Sequence, residues 1–145
     1  MIINNISSEY SVSAQICAED LPDIVAAGFK SIICNRPDTE NPINLQIEAL
    51  KLRTIAAGLE FAENVFGPSS FGMDKIDRQA QLLVEMSRPV LAYCTSGNRC
   101  SIIWAFAKAG MIETNTILEA TEAAGFQLSH LRPQLEALAL SRAAK

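Results

Sequence analysis

Short apolar segments alternate along the chain with longer segments of helical periodicity, and this alternation restricts the fold more than any other feature. Strands are predicted at 10–13, 29–34, 59–66 and 89–93. Helices are predicted at 20–27, 45–57, 73–86, 100–108, 114–124 and 131–144. Strands that alternate with helices are typical of α/β proteins with a mostly parallel sheet. We therefore expect a three-layer α/β sandwich with a mostly parallel, four-stranded central sheet.

The size and composition of the chain fit a single domain over residues 1–145, which can bury a core without disulfides or a metal. Hydrophobic residues make up 49% of the chain, which excludes a disordered tail. The net charge of −4 argues against the nucleic-acid backbone as a partner. The longest apolar run is too short to span a bilayer, so we expect no membrane partner.

The cysteines Cys17, Cys34, Cys94 and Cys100 are even in number, which would allow two disulfides. The first residues, MIINNISSEY, contain no basic region followed by an apolar stretch, so no secretory signal is predicted. We therefore expect reduced thiols and a cytoplasmic location. The spacing of Cys and His fits no zinc site, and no glycine-rich nucleotide motif is present, so we expect no metal and no cofactor.

The segment 90–101 contains a buried strand, then Cys94, a loop with one glycine, Arg99 and the start of a helix. In an open parallel sheet, ligands bind at the carboxyl ends of the strands, where Cys94 would lie. Backbone N–H groups of the loop and of the helix N-terminus would form an anion-binding nest there. The loop residues that we expect to bind an oxyanion are Thr95, Ser96, Gly97, Asn98 and Arg99.

Such surroundings favour a reactive Cys94. Backbone dipoles and Arg99 would lower the pKa of the thiol and stabilise the nucleophilic thiolate. The planar guanidinium of Arg99 matches a tetrahedral oxyanion, and Gly97 allows the backbone to turn inward. The alternative is a buried structural thiol at a strand end, but the order of strand, cysteine, loop, arginine and helix favours the nucleophile.

The motif Cys94-x4-Arg99 resembles the active-site loop of cysteine-dependent phosphatases and rhodaneses. The wider pattern comprises Val12-Ser13-Ala14-Gln15-Ile16, Ala27-Gly28-Phe29-Lys30, Asn35-Arg36-Pro37-Asp38-x-Glu40, Ala92-Tyr93-Cys94-x-Ser96-Gly97-x-Arg99 and Trp104-Ala105. Over roughly residues 10–106, this pattern resembles the phosphatase-like domain of the bacterial beta-lactamase hydrolase-like proteins. The resemblance implies a fold like that of dual-specificity phosphatases.

Three functions stay open at this point, each with a small oxyanion or a phosphorylated or persulfidated molecule as its partner. The resemblance favours hydrolysis of a phosphate monoester through a phosphate-bearing Cys94. The loop between Cys94 and Arg99 is one residue shorter than in protein tyrosine phosphatases and matches rhodaneses, which favours sulfur transfer through a Cys94 persulfide. The third function is a non-catalytic domain that binds oxyanions.

A phosphatase also needs a general acid for the leaving oxygen. Asp38 and Glu40 follow the second predicted strand and so share the active-site edge of the sheet. Asp74 follows the Gly/Pro/Ser loop after the third strand, where many dual-specificity phosphatases place their acid. The structural alternatives are a capped turn formed by Arg36 and Asp38, and a helix N-terminus that favours the carboxylate of Asp74.

The remaining candidates have less specific signals. Arg36 is a further candidate for oxyanion binding. Cys100 follows Arg99 at once, and it is either part of the helix packing or a redox partner of Cys94. Cys17 and Cys34 are interpreted as packing residues, and His130, the only histidine, as a helix-start or surface residue. Ile76, Ala80, Leu83 and Val84 are predicted to form the buried side of their helix.

Overall fold

The structure is a computed structural model that describes residues 1–144, so Lys145, the last residue of the predicted domain, lies outside the described residues. The strands are β1 (Ile3–Ser7), β2 (Tyr10–Ser13), β3 (Ser31–Cys34), β4 (Glu60–Glu63) and β5 (Val90–Tyr93). The α-helices are α1 (Leu21–Ala26), α2 (Ile47–Ala56), α3 (Met73–Glu85), α4 (Asn98–Lys108), α5 (Thr114–Ala123) and α6 (Arg132–Ala143). Short 3-10 turns precede α1, α2 and α6.

The strands form one sheet with the order β1-β2-β5-β3-β4, in which β2, β5, β3 and β4 run parallel. The predicted number of four strands is wrong, because β1 adds an antiparallel edge strand next to β2. β1 is largely polar, and Asn5 accepts a hydrogen bond from the hydroxyl of Ser11 in β2 (2.6 Å). An edge strand with one neighbour needs few apolar residues, so its sequence carries no strong strand pattern.

The two faces of the sheet are each covered by helices, so the predicted three-layer α/β arrangement is confirmed. Along β5, Val90 and Ala92 pack into the core beneath α3, α4, α5 and α6. The alternate residues Leu91 and Tyr93 pack into a second core with α1 and α2. All four residues are fully buried, as expected for a central parallel strand that is apolar on both faces.

The helices agree with the predicted pattern except on the buried side of α3. Ile76 and Leu83 are buried, but Val84 is 67% exposed, so the prediction for Val84 is wrong. The buried stripe passes through Gln79, which lies three residues after Ile76 and four before Leu83. Among residues 1–144, no helix is both long enough and apolar enough to cross a membrane.

The strand register brings three carboxyl ends together around β5. Tyr93, the last residue of β5, is paired with Ser13 at the end of β2 and with Cys34 at the end of β3. The residue that follows Tyr93 therefore lies at the carboxyl edge of the sheet, between the loops that leave β2 and β3. That residue is Cys94.

Candidate active site

Cys94 is buried directly after β5, and polar groups of the following loop and helix surround its sulfur. The backbone N–H of Gly97 lies 3.1 Å from the sulfur. The thiol of Cys100 and the backbone of Cys100 and Ser96 lie near the sulfur and favour its charged form. These polar neighbours, the Cys100 thiol above all, lower the pKa of Cys94 to about 5 against the opposing effect of burial. Cys94 is therefore a thiolate at neutral pH.

Cys100 has the opposite protonation behaviour in the first turn of α4. Burial, together with the neighbouring sulfur of Cys94, raises the pKa of Cys100 well above its usual value. Cys100 therefore keeps its proton and can donate it in a hydrogen bond to Cys94. Its carbonyl oxygen in turn accepts a hydrogen bond from the hydroxyl of Tyr10 (2.9 Å). The structure thus brings the two predicted candidates, Cys94 and Cys100, into direct contact.

Gly97 is required by the shape of the loop beneath the sulfur. Its φ of +92° lies in the left-handed region, which residues other than glycine rarely adopt. A Cβ atom at this position would lie 3.2 Å from Cζ of Phe126 and 3.3 Å from Cγ2 of Val12. The hydroxyl of Ser101 donates to the carbonyl of Gly97 (2.9 Å), which holds the loop against α4.

Arg99 lies at the mouth of the loop, and its guanidinium is held by three different groups. Its two terminal nitrogens donate to the carboxylate oxygens of Glu40, at 3.0 and 2.7 Å. They also donate to the carbonyl of Phe66 (3.1 Å) and to the hydroxyl of Thr95 (2.7 Å). The side chain of Arg99 is 20% exposed, so these contacts leave part of it within reach of solvent.

Glu40 acts as the counter-ion of two arginines. Besides its pair with Arg99, it accepts a hydrogen bond from Nε of Arg36 (3.2 Å). Arg99 and, to a smaller extent, Arg36 hold the pKa of Glu40 below its usual range. Glu40 is therefore ionised at neutral pH and orients the arginines, but it has no proton to donate. Arg36 also donates a hydrogen bond to Oε1 of Gln15 (3.2 Å). It is linked to Arg99 through the shared carboxylate of Glu40.

The other two predicted acids, Asp38 and Asp74, occupy different environments. The carboxylate of Asp38 accepts the backbone N–H of Ile47 (2.8 Å), so it holds the start of α2. Asp74 is exposed in the first turn of α3, directly after the loop 67–72. Asn98 is also exposed, and its N–H donates to the hydroxyl of Ser96 (3.3 Å).

The other predicted residues lie apart from these contacts. His130 is exposed in the 3-10 turn before α6. The thiol of Cys17 donates to the carboxylate of Asp20 (3.4 Å), and that of Cys34 to the carbonyl of Arg36 (3.2 Å). All four cysteines are free thiols. Across residues 1–144, no group of three or more Cys, His, Asp or Glu side chains could hold a metal ion.

Sequence reasoning missed a buried polar network beneath the site. Oε1 of Gln79 accepts hydrogen bonds from the side-chain amides of Asn35 (3.1 Å) and Asn64 (3.0 Å). Its own amide donates to the hydroxyl of Tyr10 (3.2 Å), which donates to Cys100 as described above. The network thus ties the ends of β3 and β4 to α3 and α4. The available signal was that Asn35 and Asn64 each directly follow a parallel strand.

A largely apolar groove opens beside Arg99, and sequence reasoning missed it as well. Its volume is about 780 Å³. Its apolar walls, which we call the α4 groove, are Phe66, Pro68, Phe71, Ile102, Phe106 and Leu131. The ring of Phe71 packs against those of Phe66 and Phe106, with centroids 5.2 and 5.4 Å apart. Arg99, Glu40 and Asn98 also line this groove, so it is continuous with the arginine.

Residues 3–111 match the family described as the phosphatase-like domain of beta-lactamase hydrolase-like protein. A beta-lactamase hydrolase-like protein of Agrobacterium fabrum is 32% identical over 126 residues. The aligned part covers 85% of this chain but 29% of that protein, so the chain spans less than a third of its relative's length.

Solved structures share the fold. A candidate phosphatase of Neisseria meningitidis is 30% identical, with a TM-score of 0.82 over 95% of this chain and 99% of that chain. A mutant form of Tk-PTP is 14% identical, with a TM-score of 0.74 over 99% of this chain and 97% of that chain. The second likeness shows the fold alone. Together they confirm the predicted fold, that of the dual-specificity and tyrosine phosphatases.

Proposed function

Because the chain belongs to the family of phosphatase-like domains of the beta-lactamase hydrolase-like proteins, we propose that it is a cysteine-dependent phosphatase acting on phosphate monoesters. The observation that carries the proposal is a thiolate at Cys94 on the same short loop as Arg99, at the carboxyl edge of a parallel sheet. A thiolate needs no base to become a nucleophile, and Arg99 supplies positive charge beside it. We place the reaction in the cytoplasm, where thiols stay reduced.

In the first step, the Cys94 thiolate attacks phosphorus and forms an S–P bond while the bond between phosphorus and the ester oxygen breaks. Arg99 and the backbone N–H groups of residues 95–99 hold the non-bridging oxygens. The departing alkoxide takes a proton from a general acid. We assign this role to Asp74, because Glu40 is an ionised counter-ion and the carboxylate of Asp38 is bonded to Ile47.

In the second step, water attacks phosphorus and gives a proton back to the carboxylate of Asp74 while the S–P bond breaks. Inorganic phosphate leaves, and Cys94 returns as a thiolate. The low pKa of Cys94 favours this step, because a stable thiolate is a good leaving group.

The test of this function is hydrolysis of p-nitrophenyl phosphate and of an alkyl phosphate between mildly acidic and neutral pH. We expect turnover by the wild type and none by Cys94→Ser, with Cys17→Ser as the matched control that stays active. Asp74→Asn should slow the alkyl ester more than the aryl ester, because p-nitrophenolate leaves without a proton. Phosphate binding without turnover would instead identify a non-catalytic oxyanion-binding domain.

The length of the loop favours sulfur transfer as a second candidate function. Four residues separate Cys94 from Arg99, and a small ring suits one sulfur atom better than a phosphoryl group. Thiosulfate would pass its outer sulfur to Cys94 and leave as sulfite, and cyanide would then accept the sulfur as thiocyanate. Mass spectrometry of Cys94 after thiosulfate distinguishes the two functions. A persulfide together with thiocyanate release would support sulfur transfer, and their absence would exclude it.

A further inference from the structure

We propose that the α4 groove binds the alkyl chain of the substrate, so that the preferred substrates are phosphate monoesters of long-chain aliphatic alcohols. This inference rests on the proposed function for the reaction, but the groove can be tested by binding alone. It assigns a role to Phe66, Phe71, Ile102 and Phe106, which the chemistry at Cys94 does not use.

The groove lies directly beside the proposed phosphate site. Arg99, Asn98 and Glu40 line one end of the groove, and Arg99 is bonded to the carbonyl of Phe66, the first residue of its wall. A phosphate held by Arg99 would therefore have its ester oxygen beside the apolar walls. The groove is charged at one end and apolar along the rest. An alkyl phosphate has the same division, with a charged phosphate at one end and a hydrocarbon chain along the rest.

The size of the groove exceeds what a small alcohol needs. Its volume of about 780 Å³ lies within the range of pockets that enclose drug-sized ligands. Its four apolar residues that are at least partly exposed come from three separate parts of the chain, namely one loop with Pro68 and Phe71, helix α4 with Ile102, and the turn before α6 with Leu131. A substrate with a small polar alcohol would leave these walls in water, whereas an apolar chain would cover them.

The shape of the groove favours an extended chain over a single ring. Asn98, Ile102 and Phe106 line it at intervals of four residues along α4, so they form one row on the helix. Eight residues of α-helix span about 12 Å, and the row starts at the helix N-terminus where the phosphate would bind. An extended alkyl chain follows such a row, whereas one benzene ring covers only its beginning.

The experiment measures binding of alkylphosphonates, which carry no hydrolysable ester, to the full chain by calorimetry. We expect octylphosphonate to bind at least about tenfold more tightly than butylphosphonate, because four more methylenes leave water. Ile102→Gln and Phe71→Ala should each reduce this ratio to less than about threefold. Val84→Gln is the matched control, since Val84 is an exposed apolar residue of α3 outside the groove, and it should keep the wild-type ratio.

Two outcomes would overturn the groove assignment. One is equal affinity for the butyl and octyl compounds, or an unchanged ratio in both groove variants. The other is a benzylphosphonate that binds more tightly than heptylphosphonate, which would assign the groove to a ring. Failure of the proposed function has a different signature, namely no hydrolysis of any phosphate ester while the chain-length dependence of phosphonate binding persists.

Discussion

Two thiols with opposite protonation behaviour lie in contact at the start of α4. The backbone N–H of Gly97 donates to the sulfur of Cys94, and the thiol of Cys100 makes the largest contribution to its low pKa. Cys100 can act as a donor because its complete burial keeps it protonated. The reactivity of Cys94 therefore depends on a neighbouring side chain, Cys100, that solvent does not reach.

We predict that Cys100→Ala raises the apparent pKa of Cys94 above its wild-type value of about 5. Alkylation by iodoacetamide requires the thiolate, so the rate rises with pH through that pKa and is then constant. In the wild type the rate should already be constant at neutral pH, whereas in Cys100→Ala it should still increase there. Peptide mass spectrometry after timed alkylation assigns the rate to Cys94.

Two further variants control this measurement. Cys100→Ser keeps a hydrogen-bond donor and should return the profile toward that of the wild type. Cys17→Ala removes a thiol that is bonded to Asp20 and should leave the profile unchanged. Superimposable profiles for Cys100→Ala and the wild type would show that the backbone N–H groups alone stabilise the thiolate.

At the scale of single residues, the sequence predicted the positions of Cys94 and Arg99 well, because strand, loop and helix are contiguous in the chain. The partner of Arg99 was harder to predict. Glu40 was predicted to lie at the carboxyl edge of the sheet, but its pairing with Arg99 joins residues that are 59 positions apart in the sequence. Which carboxylate reaches the arginine depends on side-chain directions after β3, which local pattern does not specify.

The elements meet at the active site through one loop of restricted geometry and one polar network. The loop from Cys94 to Arg99 needs a left-handed residue at Gly97 and close contact with Phe126 and Val12. The network centred on Gln79 fixes the distance between the loops after β3 and β4 and the first turn of α4.

We predict that Gly97→Ala lowers phosphatase activity by about tenfold or more, since the left-handed conformation alone costs about 1–2 kcal/mol and the added methyl group crowds its neighbours. Shifting the loop would also displace the N–H that donates to Cys94, so the pKa of Cys94 should rise. Gly28→Ala is the matched control, because Gly28 has a φ of +94° but no atom within 4 Å of its Cβ position. Equal losses of activity in both variants would contradict this account.

We predict that Gln79→Leu lowers the free energy of unfolding by about 1–3 kcal/mol, because the buried amides of Asn35 and Asn64 each lose an acceptor. Urea unfolding measures this loss. Gln81→Leu, on the exposed side of the same helix, removes only a bond to Glu85 and should change stability by less than about 0.5 kcal/mol. A Gln79→Leu protein as stable as Gln81→Leu would show that the network contributes little.

Most elements were predictable because their apolar periodicity is local. β1 was not predicted, since an edge strand that is largely polar looks like a loop in sequence. The network was not predicted either. In the sequence, Gln79 is a single polar residue on an apolar stripe, and its partners Asn35 and Asn64 come beside it only through the parallel pairing of β3 and β4.

In the whole molecule, the C-terminal helix closes the layer that carries the α4 groove. Nη1 of Arg142 in α6 donates to the carbonyls of Phe106, Ala107 and Ala109 at the end of α4, at 2.6–3.2 Å. The carbonyl of Phe106 also accepts the backbone N–H of Ala109 (3.3 Å), and the cation of Arg142 suits the negative end of the helix dipole. Since Phe106 lines the groove, the hydrogen bond from Arg142 connects α6 to a wall of the groove.

We predict that Arg142→Ala lowers the free energy of unfolding by about 1–3 kcal/mol, because the three carbonyls lose a charged donor. It should also weaken octylphosphonate binding without changing the pKa of Cys94. Thermal or urea unfolding measures the first effect, and calorimetry the second. Arg132→Ala is the control within α6, since Arg132 pairs with exposed Glu136 and Asn115, and it should be close to neutral.

One wall of the groove continues along α4 from the reactive loop, but the other walls are encoded elsewhere in the chain, and this has an evolutionary consequence. The nucleophile and its arginine lie within six consecutive residues anchored on the central strand, whereas the segment 66–71 and Leu131 come from peripheral loops. Gene duplicates could diverge in those loops while inheriting an intact reaction centre. A lineage of such domains would then diversify by changing what it recognises, with its bond-breaking step conserved.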